Sequence, residues 1–119
     1  MTRFPALLAA IASLIAAPSI ASAASGGKDR YVTIRNDSSE PVHRLYATPV
    51  GVSTWEEDLL GDGTVPAGRS KRVQVDAGTN ECRYRLKIVM AGGREHQQRD
   101  ANLCAVRKWT ISDSADLLE

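Results

Sequence analysis

CRYRLKIVM, residues 82–90, alternates apolar and basic side chains over most of its length. Cys82, Tyr84, Leu86, Ile88 and Met90 share one face, while Arg83, Arg85 and Lys87 share the other. A period of two is that of a strand with one side in a core and the other in water. Antiparallel sheets present such half-buried strands. The same alternation recurs on both sides of this segment. RYVTIRN (30–36) puts Val32 and Ile34 on one face, and KRVQVD (71–76) does the same with Val73 and Val75. VHRLYATPV (42–50) is apolar and aromatic and is interrupted by Pro49. REHQQR (94–99) is polar and suits an edge strand, and CAVRKWTIS (104–112) offers Trp109 and Ile111 as a last strand.

Turn chemistry separates these runs: NDSSEP (36–41), GDG (61–63), PAG (66–68), DAGTN (76–80) and AGG (91–93). Their Gly, Pro, Asn, Asp and Ser residues favour reversals, and AGG reads as a hairpin. No segment sustains a helical period. About six short strands in about 100 residues predict an all-β fold, a small immunoglobulin-like antiparallel β-sandwich. A small closed barrel is the main alternative. The sandwich is expected over 30–112, after a flexible segment at 24–29. SDSADLLE (112–119) is read as a poorly ordered polar tail or a short recognition peptide.

The chain opens with MTRFPALLAAIASLIAAPSIASAA, which has the anatomy of a secretory signal. Arg3 is the positive n-region, Ala6 to Ala17 is almost wholly apolar, and Ala21-Ser22-Ala23 is a small-x-small cleavage pattern. The apolar run is shorter than the roughly 20 residues of a membrane span, so no stable membrane anchor is expected. Cleavage after Ala23 would remove 23 of 119 residues and leave 96, a single small domain in the periplasm or outside the cell. That domain carries 14 bases and 14 acids. A neutral surface gives no electrostatic case for nucleic acid.

Two cysteines in an exported chain, Cys82 and Cys104, predict a disulfide. Closing that loop contributes roughly 3 kcal/mol in the chain-entropy model. A zinc site would need two more ligands, and neither His43 nor His96 stands at ligand spacing from a cysteine.

The order VTIRNDSSEPVHRLYATPVGVSTWEEDLLG, VPAGRSKRVQV, CRYRLKIV, NLC resembles a family of small exported bacterial proteins. Its members carry an Asn-turn, a Leu-Tyr strand, a W-x-x-[DE]-x-L-G segment and a Pro/Gly turn before the next strand. The resemblance covers roughly 31–104. It implies a secreted β-sandwich without an established activity and transfers no catalytic residues or cofactor.

Candidate chemistry concentrates at WEEDLLGDG (55–63). Glu56, Glu57, Asp58 and Asp62 offer oxygens for a weak calcium site, but not in the D-x-[DN]-x-[DN]-G spacing. Trp55 with flanking acids suits docking to a basic, apolar partner. The leading reading is structural: Trp55, Leu59 and Leu60 match one helical turn that plugs the end of the sandwich. The basic face Arg83, Arg85 and Lys87 reads first as a solvated sheet face. Residues 24–68 carry 4 bases and 7 acids, and residues 69–119 carry 10 and 7. The acidic stretch and basic face can therefore neutralise one another within a molecule or, by self-association, between molecules.

No nucleophile elbow occurs, and His43 and His96 read as exposed surface histidines. The sequence therefore predicts no catalytic residues, no metal and no cofactor. It points to an exported, non-catalytic binding module of the bacterial envelope, with a protein or glycan partner. A weak calcium-binding module and a small envelope inhibitor of a hydrolase are the alternatives.

Overall fold

A computed structural model describes residues 27–119. The signal-peptide reading of 1–23 lies outside the described residues. Seven strands form two packed sheets: β1 (Lys28–Asn36), β2 (Val42–Pro49), β3 (Ser70–Thr79), β4 (Arg83–Met90), β5 (Glu95–Asn102), β6 (Lys108–Ile111) and β7 (Asp116–Leu118). One sheet runs β3-β1-β6-β7 and the other β2-β4-β5. No helix occurs among the described residues. The chain is thus an all-β, disulfide-linked small sandwich, as the alternation predicts.

The alternation of 82–90 survives intact. Tyr84, Leu86, Ile88 and Met90 are buried, while Arg83 is exposed and Arg85 and Lys87 are half-buried. They meet Val32 and Ile34 of β1, Val73 of β3, and Trp109 and Ile111 of β6 in one core. Gly93 closes the β4–β5 hairpin at φ 96°, a conformation that favours glycine. β5 is an edge of the three-stranded sheet, and its charged and amide side chains discourage pairing with another chain.

Four expectations are corrected. The pairing is antiparallel except between β1 and β6, which run parallel from Thr33↔Lys108 to Asn36↔Ile111. The 112–119 tail is not loose: Asp116–Leu118 forms β7 on the free edge of β6. Trp109 Nε1 donates to the Asp116 carboxylate at 2.7 Å, which anchors that strand. At the other end Lys28 and Asp29, placed in a flexible segment by sequence, already belong to β1. The last long run begins its strand at Lys108, not Cys104, because Ala105 and Val106 both turn back to the Asn102 carbonyl.

Asn36 sits fully buried at the end of β1 and has every side-chain group satisfied. Its Nδ2 donates to the carbonyls of Glu40 and Val65, and its Oδ1 accepts from Ser38 N–H and Ser38 Oγ. This makes the Asn-turn a node joining 36–41 to the loop before β3.

Candidate functional site

The loop between β2 and β3 carries most of the residues singled out by sequence. It first crosses the outer face of the three-stranded sheet and then covers that sheet's β2 edge. Leu59 N–H donates to the Leu45 carbonyl, and Val42 and Val65 exchange both backbone bonds. Asp58 completes the seam, its Oδ1 accepting from Leu45 N–H at 2.9 Å and Leu60 N–H at 3.0 Å. An edge that would otherwise expose backbone donors is thereby closed.

The helical turn expected at 55–60 does not form. Asp58 instead opens two successive tight turns, Gly61 N–H donating to Asp58 O and Gly63 N–H to Leu60 O. Gly61 lies at φ 59°, a left-handed conformation that ends right-handed winding. Leu60 is buried and Leu59 packs partly against the core, so these two do plug the sandwich. Trp55 does not join them.

Trp55 lies half-buried on the outer face, beside side chains that alternate away from the core. The Arg85 guanidinium carbon is 4.6 Å from the Trp55 ring centre, and Lys87 Nζ is 5.0 Å from it. Lys87 Nζ also stands 5.1 Å from the Tyr46 ring, which is itself 6.2 Å from Trp55. Arg85 donates from Nη2 to the Val52 carbonyl at 2.6 Å, clamping the loop from below. The loop thus meets the basic face through cation–π contacts. Among the described residues no ion pair joins Glu56, Glu57, Asp58 or Asp62 to Arg83, Arg85 or Lys87. Arg83 pairs with Asp100 instead, at 3.0 Å and in the open.

Under residues 52–59 the loop roofs a cavity of about 360 Å³ whose lining does not include Trp55. Ala47, Leu59 and Val75 supply apolar surface, and Pro49 and Val52 supply a wall. Glu56, Glu57 and Asp76 bring carboxylates, and Tyr84 lies at the inner end. Tyr84 donates its hydroxyl to Asp76 Oδ2 at 2.9 Å, and Asp76 Oδ1 accepts from Ala77 N–H. Burial, then the Asp76 bond, pushes the Tyr84 phenol up to about 12. Glu56 and Glu57 are exposed and make no ion pair among the described residues.

The four loop acids do not assemble as metal ligands. Asp58 spends one oxygen on two backbone donors, and Asp62 is exposed outside the cavity lining. Among the described residues no three His, Cys, Asp or Glu side chains converge on one point.

His43 is exposed as expected, but His96 is not. Its side chain is only 11% exposed, on the core side of β5 opposite Ile88. His96 Nδ1 lies 3.9 Å from Asp116 Oδ1, while Gln98 and Trp109 both donate to Asp116 Oδ2. The cluster ties β5, β6 and β7 together across the two sheets. Its members come from REHQQR and the tail, where nothing local announced inward-facing polar groups.

Cys82 and Cys104 form the disulfide, joining the residue before β4 to the turn after β5. The bond is compatible with an oxidising compartment. Among the described residues no helix is long and apolar enough to cross a membrane. Comparison with known proteins finds no matching family model, no matching curated protein and no matching solved structure.

Proposed function

We propose that the domain is an exported, non-catalytic binding module of the bacterial envelope that receives a basic side chain of a partner protein. The observation that carries this reading is the cavity under the β2–β3 loop, where an apolar base meets the carboxylates of Glu56 and Glu57, which form no ion pair among the described residues. A lysine or arginine matches both features, because its methylene stem packs on apolar surface while its charge remains at the rim. Trp55, next to Glu56 in sequence but outside the cavity lining, is the side chain through which the loop is held to the outer face of the sheet. Arg85 and Lys87 hold that ring in place. The apolar leader, its small-x-small site, the disulfide and the family resemblance support export.

The test titrates the disulfide-intact protein with short peptides carrying a central lysine or arginine, each against its norleucine counterpart. The basic peptides are expected to bind more tightly, with affinity falling as salt rises. Glu56→Gln with Glu57→Gln should weaken them roughly tenfold, the scale of one charge-assisted bond. Equal affinity for norleucine peptides, or an unaltered double variant, would sink the reading.

A further inference from the structure

On the outer face of the four-stranded sheet lies a second and larger cleft, of about 710 Å³, with opposite character. Lys28, Arg30, Arg72 and Arg107 line it, against the single carboxylate of Asp29. Asp29 Oδ1 is engaged by Gly78 N–H at 3.0 Å. Among the described residues none of the four cations forms an ion pair with a carboxylate. Such crowding of like charges works against the empty protein and favours an anion that fills the cleft.

The backbone gathers these cations from three places. Register shifts between Lys28 and Arg30, and again between Arg30 and Tyr31, break the alternation of β1. Consecutive residues 28–31 can therefore all line one cleft. Arg72 enters from β3 opposite Thr33, and its guanidinium carbon lies 3.7 Å from the Tyr31 ring centre. Arg107 enters from the other side of β1, where its carbonyl accepts Thr33 N–H at 2.7 Å. Adjacent strands stand about 4.8 Å apart, so the backbones carrying Arg72 and Arg107 are separated by roughly 10 Å across β1. Arg30 spends only Nε, on the Glu81 carbonyl at 2.7 Å. Stacking on Tyr31 restrains the Arg72 side chain, which lowers the ordering cost of gripping an oxyanion.

We infer that this cleft binds a ligand carrying two or more oxyanions, the shared chemistry of polyphosphates, polyuronates and sulfated sugars. Arg72 and Arg107 would hold separate anionic groups from the two flanks of β1, with Lys28 and Arg30 adding charge at its start. The site is independent of the acid-rimmed cavity and stands whether or not that cavity takes a basic group.

The disulfide-intact protein is titrated calorimetrically with pyrophosphate, a short polygalacturonate and a sulfated disaccharide, with acetate as the single-charge reference. At least one multivalent probe is expected to bind and acetate to bind far more weakly. Whichever probe binds assigns the oxyanion as phosphate, carboxylate or sulfate. Arg72→Ala with Arg107→Ala should weaken that probe roughly tenfold or more, the loss of two charge-assisted contacts. Arg72→Gln with Arg107→Gln, which retains the stems, gives the same reading if the alanine pair disturbs the fold. Arg69→Ala with Arg99→Ala removes equal charge outside the cleft and should leave affinity unchanged. Failure of all three multivalent probes, or equal loss in the control pair, overturns the inference.

Discussion

Tyr84 closes the inner end of the acid-rimmed cavity, and its hydroxyl is the part of the core that responds to pH. Its phenol stands above its ordinary value of 10.0, at about 12. In the unfolded chain the group ionises near 10, so between these values only the folded protein retains the proton. Stability from this group is therefore complete below pH 10 and is lost as pH rises towards 12, by roughly 2 kcal/mol. Denaturant titrations from pH 9 to pH 12 should show that decline in the wild type and a shallower one in Tyr84→Phe. Tyr84 was legible as a core residue because its neighbours two positions away are apolar. Its partner Asp76 was not, since the bond depends on how the end of β3 meets the start of β4. Asn36 is similar: the turn could be read, but its four hydrogen bonds gather groups that only the folded loops bring near.

The β2–β3 loop acts as an extra strand without being one. It closes the β2 edge through three backbone bonds and the Asp58 carboxylate. Asp58→Ala leaves the N–H of fully buried Leu45 without its acceptor, at a cost of about 1–3 kcal/mol. Urea denaturation should register that loss, with amide exchange accelerated at Leu45 and Leu60, while Asp58→Asn keeps an acceptor and recovers most of it. The spacing of Trp55, Leu59 and Leu60 suggested one inward face, but spacing carries that meaning only where winding is regular. Gly61 and the Asp58 carboxylate break the winding and send Trp55 to the opposite side of the sheet. The strands of 82–90 and 71–76 were legible because their period repeats. β7, three residues long, was too short to show any period.

Across the whole molecule, the disulfide joins two chain reversals beside the β4–β5 pair. Cys82→Ser with Cys104→Ser should cost roughly 3 kcal/mol by urea denaturation, since it frees a loop with a sequence separation of 22 in the unfolded chain. The sandwich was the favoured reading of six short runs, three of them clearly alternating, separated by turn-forming residues. The basic cleft was not legible, because Arg72 of β3 and Arg107 just before β6 are far apart in the chain and the register shifts of β1 leave no pattern in the sequence. The parallel β1–β6 pairing also sets the order of assembly. Thr33 can pair with Arg72 early, but its neighbour on the other side exists only when Lys108 has been made, so β1 is enclosed on both sides only near the end of the chain. Contacts so distant in sequence slow folding. During synthesis the larger sheet thus stays unfinished until its last strands appear, with the β6 side of β1 uncovered although its β3 side can already be paired.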